Sequence, residues 1–307
     1  MATALSKPGY FTCAELGAEA ADFYRENGFL VVTDALSEED LRALKEETVA
    51  FCRGRRGTVL KDGKAPAYMQ REAELSDEEV QRELLCIHHP HKQSERVRRY
   101  LADPAIVRVL TSVIGPNVKC MQSMLFIKSA GKPGQAWHQD EDFIPTRDRS
   151  LTGAWIAIDE ATTENGCLWI LPKSHQPGVL WPMHGHTDKR FDCTHESYGF
   201  PYENEDAVAV EVPAGAVVFF NGYTLHRSLP NKTAGGFRRV LVNHYMSAES
   251  LLPWQSGEDV PVAQRDSRDI VMVAGKDPYA YKGTEDLAHT HVRPDGKGGC
   301  ADGRRLR

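Results

Sequence analysis

The amino-acid sequence predicts a mainly β protein with flanking helices, a sandwich or jelly-roll core behind a helical first third. Three observations carry that expectation. From Val118 onward, short runs rich in Val, Ile, Phe and Trp are separated by Gly, Pro, Asn and Asp, the pattern of successive strands. No long helical pattern interrupts them, which argues against a parallel α/β sheet. Before Val118 the apolar residues recur at helical spacing instead.

Cys13 to Asn27 places Leu16, Ala20 and Phe23 at helical spacing, and Gly28 is a fitting stop. Phe29 to Val32 reads as a short strand. Ser37 opens a second helix, with Asp40 as its capping partner and Leu41, Leu44 and Val49 as its apolar stripe. Residues 54–80 are polar and read as a long loop or partial lid. Asp103 and Pro104 read as an N-cap followed by proline at the first helical position, opening a helix through Ile106, Val107 and Leu110 to Gly115. The candidate strands are Lys119–Lys128, Gly153–Ile158, Cys167–Leu171, Val208–Val212, Ala216–Phe220 and Arg238–Met246. One domain is expected over 1–307, with an N-terminal helical region over 1–117, a core over 118–248 and a C-terminal extension over 249–307. The extension is patterned only at Asp269 to Val273, and residues 295–307 read as a loose tail.

Composition narrows the class. Apolar residues make up 41% and charged residues 26% of the chain, enough for a sizeable core. The net charge of -6 and three short basic clusters, 53–56, 96–99 and 304–307, do not form the basic face of a nucleic-acid binder. The seven cysteines are odd in number and contain no CxxC pair, so neither a disulfide framework nor a four-cysteine zinc site is expected. The start has no apolar stretch of signal-peptide type, no run is long enough to span a bilayer, and the ending GRRLR is not an SKL-type address. The expected setting is cytoplasmic, with no nucleic acid and no membrane as partners, and a monomer or homodimer as the assembly.

The segment Trp137-His138-Gln139-Asp140 carries the most chemistry. Residues two apart on an extended strand share a side, so His138 and Asp140 can face one ion while Gln139 turns away or to the flank. By itself an HxD pair says little. His226, just after the strand Ala216–Phe220 and the Asn221-Gly222 turn, is the best second histidine. Two histidines and one carboxylate on one face leave open positions on a six-coordinate iron, the arrangement of iron(II) oxygenases. Downstream, Gly236-Phe237-Arg238-Arg239 enters the last strand. On it Arg238, Val240 and Val242 share one face and Arg239, Leu241 and Asn243 the other. One guanidinium can therefore project toward the metal and take a carboxylate with both arms.

Together, HQD at 138–140, NGCLWILPKSH at 165–175 and HRSLPNKTAGGFRR at 226–239 resemble the phytanoyl-CoA dioxygenase (PhyH-like) family over about residues 20–285. The resemblance implies a double-stranded β-helix, the cupin-like jelly roll, with N-terminal α-helices outside. It also implies iron(II), 2-oxoglutarate as cosubstrate and dioxygen (O2). Carried over by position, His138, Asp140 and His226 match the iron ligands. Arg238 matches the partner of the distal carboxylate of 2-oxoglutarate, and Ser228 its hydroxyl partner. Met124, Gln139 and Trp155 match residues lining the same pocket. Strand parity and the GFR context favour Arg238 over Arg239. Some relatives bring a lysine from the segment before the core; here that segment reads Cys86-Ile87-His88-His89-Pro90-His91, with no matching lysine.

The implied activity is hydroxylation of an unactivated C–H bond of a small organic substrate, with release of succinate and carbon dioxide. Related halogenases carry a small residue where Asp140 stands, so the carboxylate favours hydroxylation over halogenation. Desaturation, epimerisation or cyclisation in natural-product metabolism are the alternatives within iron chemistry. A non-catalytic jelly-roll binding protein is the alternative outside it. Of the other histidines, His175 reads as structural, and His289 and His291 as exposed near the tail. His184, His186 and His195 lie in a long loop able to cover the site, where a second metal site with Cys193 has no zinc-like spacing. Trp137, Phe143, Trp169 and Trp181 are candidates for pocket walls, with core packing the alternative for Trp169.

Overall fold

A computed structural model describes residues 7–192, 195–253 and 266–295. The expected tail beyond Asp295 and the site at Cys193 fall outside the described residues.

Strand β1 (Tyr10–Phe11), helix α1 (Ala18–Asn27) and strand β2 (Phe29–Val32) open the chain. Helices α2 (Glu38–Cys52) and α3 (Asp77–Arg82), strand β3 (Leu84–His88), and helices α4 (Glu95–Arg99) and α5 (Pro104–Val113) follow. The core then runs β4 (Val118–Ser129), β5 (Gln135–His138), β6 (Thr152–Ala157) and β7 (Leu168–Ile170). It continues with β8 (Met183–His184), β9 (Glu196–Ser197), β10 (Val208–Val210) and β11 (Val217–Asn221). The last strands are β12 (His226–Ser228), β13 (Phe237–Ser247), β14 (Val271–Ala274) and β15 (His291–Pro294).

Among the described residues a nine-stranded sheet is ordered β1-β2-β11-β6-β13-β4-β3-β15, with β14 also on β4, and faces a four-stranded sheet ordered β10-β7-β12-β5. This is the expected jelly roll with helices outside. Strand alternation explains why the large sheet reads as nearly continuous apolar sequence. Val217, Phe219, Leu241 and Tyr245 point to the helical layer, where they meet Leu44, Phe51 and Leu101. Val218, Phe220, Val240 and Val242 point between the sheets, against Leu168 and Ile170. Both faces are covered, and each fully buried side chain of this size stabilises the fold by roughly 1.5–3 kcal/mol.

The helix caps form at Ser37, whose side chain accepts from Asp40 N, and at Asp103, which accepts from Ala105 N. The first helix is shorter than predicted: Cys13–Glu15 is a separate 3-10 turn and Gly17 caps the helix proper. Residues 54–80 are not a plain loop, since Ala67–Glu74 form a 3-10 helix and Ser76 with Glu79 caps α3. The first third also holds β3, which pairs with β4 and with β15 from the far end of the chain. The basic clusters at 53–56 and 96–99 are engaged with carboxylates, among them Arg53 on Glu72 and Asp77, and Arg56 on Glu47. No described helix is long and apolar enough to cross a membrane. The five described cysteines are free thiols.

Gly28 connects the helical layer to the interior. It ends α1 in the left-handed region at φ 81°, donating to Tyr24 O at 2.7 Å. Its carbonyl accepts from Asn221 N at 2.9 Å and Thr224 Oγ1 at 3.0 Å. A Cβ there would lie 2.5 Å from both His175 Nδ1 and Thr224 Oγ1. Gly28→Ala should therefore lose about 2 kcal/mol in urea unfolding, combining the left-handed penalty with the clash. A loss below about 0.5 kcal/mol would contradict this account of the cap.

Candidate metal centre

Strands β5 and β12 run antiparallel with His226 opposite His138 in register. That pairing sets the two rings side by side, with centroids 4.2 Å apart. β5 ends at His138; Gln139 is still extended, at φ -124° and ψ 129°, and Asp140 opens a 3-10 turn. The alternation therefore carries just far enough to turn Asp140 toward the histidines. One ligand atom from each of His138, Asp140 and His226 lies within 4.8 Å of the others, and all three residues are buried. Among the described residues no other group of this kind occurs.

The tautomers follow from the neighbours. His138 Nδ1 lies 2.8 Å from Ala136 O, and His226 Nδ1 lies 3.0 Å from Thr224 O. A carbonyl only accepts, so each Nδ1 carries the proton and each neutral ring keeps its Nε2 lone pair inward. Both Nε2 atoms stand 3.6 Å from Asp140 Oδ1. Burial and the neighbouring His138 lower the His226 pKa to about 4, so it is neutral at pH 7. Burial alone would raise the Asp140 pKa, but His226, His244 and His138 outweigh it and hold the carboxyl below its usual range. The result is a buried carboxylate facing two imidazole Nε2 atoms, a donor set that suits a divalent cation.

His244 is a site residue that the sequence reading missed. Its Nε2 lies 2.9 Å from Asp140 Oδ2, so it donates to the oxygen that the other two histidines leave free. It sits on β13 two residues beyond Val242, on the face shared by Arg238, Val240 and Val242. Extending that alternation by one step would have found it.

A cavity of about 550 Å³ opens beside the cluster. Its lining includes Met124, Trp155, Ser228 and Arg238, four of the predicted pocket residues. Arg238 is buried, stands 5.4 Å from the Trp155 ring centroid, and its Nε has no hydrogen-bond partner. Burial lowers its pKa to about 10, still charged at pH 7. Arg239 turns to the other face and pairs with Asp159 at 2.7 and 2.8 Å, so of the two arginines it is Arg238 that lines the cavity.

Gln139 is a correction. Its amide donates to Val179 O and Tyr223 O and accepts from Trp181 N. It braces the loop at 179–181 from the opposite side of the chain, because odd and even residues of a strand point apart. Of the aromatic candidates, Phe143 lines the cavity. Trp137 instead faces an adjoining cleft and carries the Arg227 guanidinium 4.5 Å from its ring. Trp169 and Trp181 join a neighbouring apolar cluster. His184 lines the adjoining cleft, not the cavity, and His186 packs on Phe191. His175 is structural as expected, with its Nε2 3.0 Å from Arg25 O.

Lys61, His88, His89 and His291 also line the cavity. His291 is not an exposed tail residue: β15 pairs with β3 and stacks it on His88 at 4.5 Å and 6°. His91 turns inward instead, its Nδ1 2.6 Å from Ser123 Oγ.

A sequence model of the family described as Phytanoyl-CoA dioxygenase (PhyH) matches residues 24–240. The chain is 29% identical to rat (Rattus norvegicus) peroxisomal phytanoyl-CoA dioxygenase over 90% of this chain and 80% of that one. The human (Homo sapiens) counterpart is 30% identical over 76% of this chain and 69% of its own. Among solved structures, the non-haem monooxygenase ThoJ superposes with a TM-score of 0.63 at 20% identity, over 90% of this chain and 88% of ThoJ. The α-ketoglutarate-dependent carbocyclase SnoK does so with a TM-score of 0.58 at 22% identity, over 87% of this chain and all (100%) of SnoK. The mammalian relatives are named as peroxisomal, so they lend no support to the expected cytoplasmic location.

Anaerobic titration with cobalt(II), followed by its visible absorption, should give one tight site in the wild type and none in Asp140→Ala. His244→Leu should bind roughly 10–100-fold more weakly while its melting transition stays near that of the wild type, because the lost contact orients a ligand. Unchanged cobalt affinity in His244→Leu would refute that role.

Proposed function

From its membership of the phytanoyl-CoA dioxygenase family, to which the chain belongs, we propose that this 2-oxoglutarate-dependent non-haem iron dioxygenase hydroxylates an unactivated C–H bond of a small organic substrate. The catalytic unit of this reading is a single domain spanning the chain. One observation carries it: a three-residue metal cluster and a buried guanidinium with a free Nε line the same cavity.

In this reading His138, Asp140 and His226 hold iron(II), with Nε2, Oδ1 and Nε2 as the ligand atoms. Bound iron and 2-oxoglutarate supply the oxidation by dioxygen, releasing succinate and carbon dioxide and leaving one oxygen atom for the substrate. The protein does the rest by position. His244 Nε2–H holds Asp140 Oδ2, which keeps Oδ1 turned inward. Ala136 O and Thr224 O fix the two imidazoles as Nε2 ligands. Arg238 and Ser228 take the distal carboxylate, and the indole of Trp155 supports the guanidinium. Phe143 and Ile144 exclude water on the metal side of the cavity. Asp140 supports hydroxylation over halogenation, since it fills the coordination position that a halide would need.

The relatives named for phytanoyl-CoA make that thioester the first substrate to try, with free branched and linear acids beside it. With a productive substrate, succinate should form only with iron(II), 2-oxoglutarate and dioxygen together, and the product should gain the mass of one oxygen. His138→Ala should fall to background. Arg238→Met should weaken 2-oxoglutarate roughly 100-fold, as expected when one partner of a buried charge-assisted pair is removed. A product lighter by two hydrogens, or of unchanged mass, would replace hydroxylation by desaturation or epimerisation. Cosubstrate binding without turnover on any substrate would favour a binding protein.

A further inference from the structure

We infer that Lys128 is a positioning residue for the cosubstrate: it fixes the Ser228 hydroxyl as a donor toward the distal carboxylate. The inference rests on the cosubstrate reading above and names a residue that reading does not use.

Lys128 is buried on β4, directly opposite Arg238 on β13. Its Nζ donates to Ser228 Oγ at 2.9 Å and to Leu229 O at 2.8 Å. Gln135 N–H also donates to Ser228 Oγ, at 3.3 Å. A hydroxyl has two acceptor lone pairs and one proton. Two donors use both lone pairs, so Ser228 can act toward the cavity only as a donor. Arg238 has no acceptor atoms either. Arg238 and Ser228 therefore both offer hydrogen-bond donors to this end of the cavity, the polarity that suits a carboxylate.

The charges say the same. The acids that act on these two cations are already engaged. Asp159, which favours the charged form of Arg238, is bound by Arg239 and Lys45. Asp192, which favours the charged form of Lys128, is bound by Arg293. Cys167 is no counter-ion, because burial and the nearby Glu211 raise its pKa to about 12. Burial, then Arg238, lowers the pKa of Lys128. Charge on either side chain is costly at this depth, and a carboxylate bound beside them would offset that cost. Gly166 makes the arrangement possible: at φ 88°, a Cβ there would come within 2.9 Å of Lys128 Nζ and 2.4 Å of Leu229 O.

The consequence is specificity for a 2-oxo acid with a second, distal carboxylate. Titration calorimetry on zinc-loaded protein, with 2-oxoglutarate and with pyruvate as the acid lacking that carboxylate, tests it. Lys128→Met should weaken 2-oxoglutarate about tenfold or more and leave pyruvate unchanged. Ser228→Ala should weaken 2-oxoglutarate as well, and the double variant should be no weaker than the worse single one, since the two act as a unit. Should Lys128→Met fail to fold, Lys128→Gln carries the test, with a several-fold loss for 2-oxoglutarate and none for pyruvate. Wild-type affinity for 2-oxoglutarate in the folded Lys128 variant, an equal loss for pyruvate, or fully multiplying effects would overturn the inference. A wild type that binds no 2-oxoglutarate would overturn the cosubstrate reading itself.

Discussion

The carboxylate of Asp140 is the constraint on which the site depends. One oxygen faces the Nε2 atoms of His138 and His226 at 3.6 Å, and the other accepts from His244 at 2.9 Å. Both facing histidines are fixed through Nδ1 to backbone carbonyls, so what they present to Asp140 is lone pair, not proton, when the rings are neutral. Burying such a group without a cation is unfavourable. The jelly roll holds it together through strand pairing: His226 is locked opposite His138, and His244 rides on the longest ladder of the large sheet. Stability is thus given up locally to preorganise a binding site, and the two apolar layers around the large sheet offset the loss.

The cavity is polarised along its length. Near Asp140 it is negative and rich in lone pairs; near Arg238 it is positive and rich in donors. A ligand with acceptor oxygens at both ends and a metal at one of them satisfies both. β13 builds the gradient, because residues two apart from Arg238 to His244 all face inward. The lining also takes stacked imidazoles and Lys61 from segments far apart in the chain.

Much of this was legible in the sequence because the long strands must alternate. The six candidate strands were all found, with ends shifted by one or two residues, and parity separated Arg238, which lines the cavity, from Arg239, which pairs with Asp159. The failures share a cause. Strands β5 and β12 are four and three residues long, and such runs have no periodicity until a partner defines them. β3 and β15 pair across some two hundred residues, so neither the strand at His88 nor the partial burial of His291 could be read locally. The role of Lys128 depends on its register opposite Arg238, which no local pattern encodes. Gln139 is the instructive error: alternation pointed it away from the metal, and the likeness to a family drew it back into the pocket. His244 shows the converse, since the same alternation pursued one step further would have included it.

A crystal structure grown without oxygen, with metal and 2-oxoglutarate present, tests the central claim most directly. One metal should be bonded to His138 Nε2, Asp140 Oδ1 and His226 Nε2. The distal carboxylate of 2-oxoglutarate should lie on Arg238 and Ser228, with His244 still on Asp140 Oδ2. A metal held by other residues, or an Arg238 that turns away from the cosubstrate, would contradict it.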